Sequence, residues 1–322
     1  MEASRILITG GAGYIGSLLT PHLLSLGHDV TVLDLFFYGE DTLGEALNHE
    51  RCHTIRGDIR DQALMKETLA RGFDAVIHLA AISNDPSSDL DEDITESVNG
   101  KATSDWMHAA KEAGVKRFLY ASSASVYGIK DDEHVTEDLE LEPITQYARC
   151  KARGEDVLDA LVDDHFCGVS VRAATVCGYS PRLRLDLTVN ILTEHAVRHG
   201  KIRVFGGDQL RPNVHILDLV DFYTSLLTAP AAKINGEAFN ISNANYSVMA
   251  IAERVRDILE KEIEIARVPT DDLRSYRLDT TKLERTLGIR SERTIDVAIA
   301  ELERAFADGL IPDPDSTIYR NV

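Results

Sequence analysis

Short apolar runs alternate with amphipathic stretches through the first half of the chain. Arg5–Thr9, Asp29–Asp34, Cys52–Ile55, Ala75–Leu79, Arg117–Ala121 and Cys167–Ala173 have the length and apolar content of buried strands. Between them, Tyr14–Leu26, Gln62–Ala70, Ile94–Ala113 and Tyr147–Asp164 read as helices, the first marked by Ile15, Leu18, Leu19 and Leu23 at helical spacing. This alternation predicts an α/β fold, a doubly wound parallel sheet with helices on both faces. Such sheets bind ligands beyond the carboxyl ends of their strands, where the strand order reverses.

The second half is less regular. Leu187–His199, Ile216–Leu227, Val248–Glu260 and Ile295–Ala307 read as helices, and Lys201–Phe205 and Glu237–Ile241 as strands. The pattern divides the chain near Ala174, into residues 1–174 and a smaller body within 175–322. Part of 214–245 is a candidate to return to the first sheet.

A chain of 322 residues can bury a large core. Its net charge of -19 argues against a nucleic-acid partner, because phosphate backbones need clustered Lys and Arg. Cys52, Cys150, Cys167 and Cys177 show no metal or redox spacing and read as reduced thiols. No apolar run approaches the length of a membrane span, and the first strand begins too early for a signal peptide, so a cytoplasmic location is expected. Asp85, Asp89, Asp91, Glu92 and Asp93 read as a solvated acidic loop without convincing metal-ligand spacing.

The first strand runs into Gly10-Gly11-Ala12-Gly13-Tyr14-Ile15-Gly16, where Gly11, Gly13 and Gly16 match the G-x-G-x-x-G fingerprint. The glycines permit a tight turn, close approach to a pyrophosphate and close helix–strand packing, and the next helix aims its N–H groups at the phosphates. Asp34 ends the second strand, where an acid accepts from adenosine ribose hydroxyls. A carboxylate there repels a 2′-phosphate, so NAD is favoured over NADP. Residues 1–174 are therefore expected to form a Rossmann domain and 175–322 mainly a substrate-binding one.

Tyr147 and Lys151 stand four apart at the start of a helix and share one face. A tyrosine normally titrates near pH ~10, and an ammonium nearby favours the phenolate. Lowering that pKa by about 3 units corresponds to roughly 4 kcal/mol. The pair could serve as a general base near neutral pH. Phe118–Gly128 is a strand opening into a serine-rich loop on the same sheet edge, from which Ser123 could donate to a substrate oxygen.

With these motifs in place, the chain resembles an extended short-chain dehydrogenase/reductase of the nucleotide-sugar epimerase and dehydratase family. The matching segments are Gly10–Gly16, Asp34, Gly57–Asp61, His78–Ala81, Asn99, Ser122–Gly128, Tyr147–Lys151 and Arg211–His215. The resemblance implies cofactor contacts from Gly10, Gly13, Tyr14, Ile15, Gly16, Asp34, Asp58, Ile59, Leu79, Ala80, Ala81, Asn99, Tyr147 and Lys151. Asp58 is to bind the adenine, Tyr147 is to be the base, Lys151 is to hold the nicotinamide ribose, and Ser123 is to assist. Arg211 is to grip the diphosphate of a sugar nucleotide, and Ser83, Ser123, Tyr147, Thr175, Arg182, Asn190 and Arg274 are further candidate substrate contacts. His215 reads as structural, Trp106 and Met107 as core or dimer contacts. A homodimer through the helices Ile94–Ala113 and Tyr147–Asp164 is also implied.

Two departures narrow the activity. Ala124 and Ser125 stand where dehydratases of the family carry an Asp-Glu pair, and neither can act as a carboxylic acid. The Ser-Ala-Ser run is closer to UDP-galactose 4-epimerases. Thr175 stands where epimerases typically have asparagine. With Ser180–Leu187 and Asp272–Tyr276, it is similar to a branch containing GDP-heptose 4-dehydrogenases. The expectation is an NAD-dependent epimerase acting through a transient 4-keto sugar. The alternative is a net 4-dehydrogenase or ketoreductase; a 4,6-dehydratase and a non-catalytic dinucleotide sensor stand further off.

Overall fold

The computed structural model describes residues 3–83, 88, 90–270 and 275–321. Seven parallel strands form the main sheet: β1 (Arg5–Thr9), β2 (Asp29–Asp34), β3 (Cys52–Arg56), β4 (Ala75–His78), β5 (Arg117–Ala121), β6 (Cys167–Ala173) and β10 (Glu237–Ile241), in the order β10-β6-β5-β4-β1-β2-β3. β1, β4 and β5 are almost wholly buried because helices cover both faces, which explains their lack of strict alternation. One apolar cluster joins Leu19 and Leu23 to Ile8 and Val32. The other packs Trp106 and Met107 against Leu7, Val76 and Phe118. Trp106 is thus a core residue, its Nε1 donating to the Ile59 carbonyl at 2.8 Å.

The order reverses between β1 and β4, so the loops following these two strands flank one crevice. Beneath it His78 bridges Thr9 and Thr103 at 2.8 and 3.2 Å. Burial, aided by the Lys151 charge, pushes its imidazole down to about 3, so it stays neutral.

The predicted helix over 94–113 is divided in the structure. A turn at Glu92–Thr95 leads into a wider-wound stretch, Glu96–Ala102, and then the helix Thr103–Glu112. Apart from Lys201–Phe205, which the sequence pattern predicts, the short strands of the second half outside the main sheet escaped it. β7 (Thr175–Cys177), β9 (Leu210–His215) and β11 (Ala244–Ser247) form a three-stranded sheet, and β8 (Lys201–Phe205) pairs in parallel with β12 (Glu264–Val268). Pro212 hides β9, since proline argues against a central strand; it lies one residue outside the β7 pairing, which begins at Asn213. The helices Thr188–His199, Val248–Leu259 and Ile295–Ala307 enclose a separate apolar cluster with Ile202 and Val204. His215 is structural: Nδ1 caps the helix Ile216–Thr228 through Leu217 N, and Nε2 meets Glu301 at 3.0 Å.

Candidate active site

A cleft of about 720 Å³ opens along the carboxyl edge of the main sheet. Its floor is backbone. Gly10 has φ +73°, and a Cβ there would lie 2.6 Å from Ala80 N; one on Gly16 would lie 2.5 Å from the Gly11 backbone. The turn leaves room for no side chain at either position, so a ligand can approach the main chain itself. The helix Gly16–Ser25 begins at this turn, and Gly13–Gly16 bring its N-terminal end to the cleft wall.

Asp34 lies at the end of β2, its carboxylate accepting from Ala12 N at 3.0 Å and Phe36 N at 2.8 Å. Burial raises this carboxyl, while those N–H groups and the Arg182 and Arg56 guanidiniums pull it down. Asp58 holds Arg60 through both oxygens, so an adenine amino group would compete with Arg60 for it. Ile59, Leu79, Ala80, Ala81, Tyr14 and Ile15 line the same cleft. Asn99 does not; its amide braces the loop after β4, donating to Ile82 O at 2.8 Å and accepting from Ile82 N at 2.9 Å.

Further along, the helix Gln146–Leu161 starts at Thr145, whose hydroxyl caps Ala148 N. Tyr147 therefore sits in the first turn, where the helix dipole favours negative charge. Lys151 lies one turn on, its Nζ 5.7 Å from the Tyr147 ring centroid and donating to Ala121 O at 2.6 Å. Burial pushes the lysine down to about 8. Ser123 follows β5; its Oγ accepts from Ser125 N at 3.2 Å and from the Ser125 hydroxyl at 3.0 Å. Ser123, Tyr147 and Lys151 all face the one cleft.

A buried ionic network underlies this loop. Arg172 donates to both oxygens of Glu155 and to the Tyr127 hydroxyl, while Glu155 accepts from Ser122 Oγ. Arg172 and Glu155 are both buried. The network anchors the serine loop to the helix Gln146–Leu161.

The opposite wall carries Thr175, Arg182, Arg184, Asp186 and Arg211. Arg184 pairs with Asp186 through both oxygens and donates to Ser83 O at 3.1 Å. Arg211 is on β9, opposite Tyr246 of β11. Asn190 corrects an expectation. It is fully buried behind the wall and does not line the cleft, since its amide is used on Tyr14 Oη, Arg184 O and Gly178 N. Arg274, Asp85 and Asp89 lie outside the described residues. The sequence reading missed Tyr38, Asp186, Tyr276 and Asn321 as cleft residues. Asp186 was within reach of sequence reasoning, as an acid in the Ser180–Leu187 run four residues from Arg182; Asn321 carried no local signal.

A backbone cradle at a sheet switch point, a ribose-type acid and a Tyr/Lys pair beside a serine define a dinucleotide-dependent oxidoreductase site. The glycine positions that reject a Cβ fit NAD physically. Residues 6–242 match the model of the NAD dependent epimerase/dehydratase family, and the chain belongs to that family. It is similar to the UDP-glucose 4-epimerase of Lactobacillus helveticus, 29% identical over 324 residues, covering 92% of this chain and 95% of that one. It is also similar to the UDP-glucose 4-epimerase of Streptomyces lividans, 30% identical over 275 residues, covering 80% and 81%. The UDP-glucose 4-epimerase of Thermotoga maritima, solved with UDP-glucose, superposes with a TM-score of 0.85 at 25% identity, covering 95% of this chain and 99% of that one.

Proposed function

We propose that this enzyme inverts a nucleotide-activated sugar at C4 through a transient 4-keto intermediate. The observation that carries the reading is that Ser123, Tyr147 and Lys151 share one cleft with Arg211 and the glycine cradle. Gly10, Gly13, Gly16 and Asp34 would hold NAD, which supplies a two-electron acceptor and donor when bound. Tyr147 takes the proton of the C4 hydroxyl and later returns it. Lys151 and the helix N-terminus lower the cost of the phenolate. Ser123 donates to the same sugar oxygen and stabilises the charge that develops there.

Arg211 would answer the diphosphate of the sugar nucleotide with a planar fork of donors. Its neighbourhood explains how a chain of net charge -19 could bind an anion, because Lys151, Arg184 and Arg211 face the cleft locally. Ala124 and Ser125 offer no carboxyl group for eliminating water, which disfavours a dehydratase. The intact Tyr/Lys pair disfavours a non-catalytic sensor.

The test is the purified protein against UDP-, GDP-, dTDP- and CDP-sugars, with products read for C4 configuration. Inversion supports the proposal; no inversion with any of them removes it. Thr175 on the cleft wall favours a second reading, net oxidation at C4, which keto sugar accumulating with NADH would select. We further read residues 1–174 as the cofactor half and 175–322 mainly as the substrate half. We read the chain as a homodimer through helices 103–112 and 146–161; sedimentation as a monomer at micromolar concentration would count against that.

A further inference from the structure

Four segments far apart in sequence meet at one point on the cleft rim. The Arg182 guanidinium lies 3.6 Å from the centre of the Tyr38 ring. It donates to Leu183 O at 3.1 Å and to Asn321 Oδ1. Asn321 Oδ1 also accepts from the Tyr38 hydroxyl at 3.1 Å, and Asn321 Nδ2 donates to Ser83 Oγ at 2.6 Å. Tyr38 belongs to the loop after β2 and Ser83 to the loop after β4, the strands that bracket the glycine turn in the sheet. Residues 182 and 321 thus tie together the two loops over the dinucleotide side of the cleft.

Asp34 and Asp186 act on the charge at this point only from beyond ion-pair contact. Arg182 is 3% exposed, and among the described residues it has no carboxylate in ion-pair contact. The carboxylate nearest in sequence, Asp186, is bonded to Arg184, a second cation of the same wall. A buried guanidinium is costly unless an anion compensates it. Asp34 lies close enough to feel the Arg182 charge, which places that charge beside the ribose-binding end of β2.

We propose that Arg182 binds the diphosphate of the dinucleotide, not the sugar nucleotide, and that Asn321 and Tyr38 position it there. This moves Arg182 from the substrate set to the cofactor set and makes the 315–321 segment part of the cofactor site. Arg198 pairs with Asp315, and Tyr319 O accepts from Leu185 N at 2.8 Å, so the segment is fastened before it reaches Asn321. The inference rests on the reading of the cleft as an NAD site.

The test uses the nucleotide-stripped full chain and three probes: ADP-ribose, adenosine and UDP. Arg182→Met should weaken ADP-ribose by about 10- to 100-fold, the size of a charge-assisted hydrogen bond, and leave adenosine and UDP unchanged. Asn321→Ala, at a partly exposed position that the core does not need, should weaken ADP-ribose by a smaller factor with the same pattern. It keeps the test open if Arg182→Met fails to fold. Unchanged ADP-ribose affinity in both variants, or a loss confined to UDP, overturns the proposal. Failure of the unaltered protein to bind ADP-ribose overturns the dinucleotide reading and the proposal together.

Discussion

The two sides of the cleft are built differently. On the β1–β4 side the contact surface is largely main chain, set by glycines and a helix N-terminus, with Asp34, Asp58 and Arg60 as its charged side chains. On the opposite side it is long side chains, Arg184 and Arg211, the former braced by Ser83 across 101 positions. A backbone cradle binds what every dinucleotide shares. Side chains on irregular loops bind what differs between substrates, because they can change without refolding the sheet. On the proposed reading, cofactor binding follows from the first side and the choice of sugar from the second.

Substitutions can sharpen that contrast. Tyr147→Phe should lower turnover by about 10²–10⁴-fold while NAD stays bound, since it removes only the proton acceptor; single-turnover assays with equilibrium dialysis would show it. Unaltered turnover would refute Tyr147 as the base.

Glu155→Ala leaves the buried Arg172 without its carboxylate and should cost about 3–5 kcal/mol of stability. Urea denaturation would measure this loss, and a cost below about 1 kcal/mol would mean the pair does not anchor the serine loop.

Arg211→Ala should weaken the sugar nucleotide by about 10- to 100-fold with NAD affinity kept. Parallel titrations with both ligands would separate the two sides. A loss of NAD instead would erase the division.

The smallest effect concerns Lys151. The unfolded lysine keeps its proton to about 10.5, whereas the folded one holds it only to about 8 because of burial. Between these values unfolding binds a proton, so rising pH stabilises the fold. Lys151→Met should therefore raise the nucleotide-free melting temperature near pH ~7, with the gain shrinking above pH ~8. A difference that stays flat with pH would show that the lysine carries no such strain.

The cofactor side was largely legible in the sequence. β1, β2, β5 and β6 fall where their apolar runs end, and Asp34 sits at the tip of β2 as its spacing required. The Tyr147–Lys151 face follows from helical periodicity alone. The other side resisted. β9 carries proline, β11 is only four residues long, and neither alternates clearly. Asn190 was a candidate substrate contact from the family resemblance; the fold spends its amide on Tyr14 and Arg184.

Local patterns thus determined most of the sheet, the glycine turn, and the placement of Asp34 and the Tyr147–Lys151 pair, since each is written within a few consecutive residues or one helical turn. Tertiary structure alone decided that β10 pairs with β6, that Glu155 neutralises Arg172, and that Tyr38 meets Asn321 across 283 positions. The physical reason is range: a periodic signal reports which face of an element is buried, whereas a polar contact between distant loops depends on where the whole chain brings them.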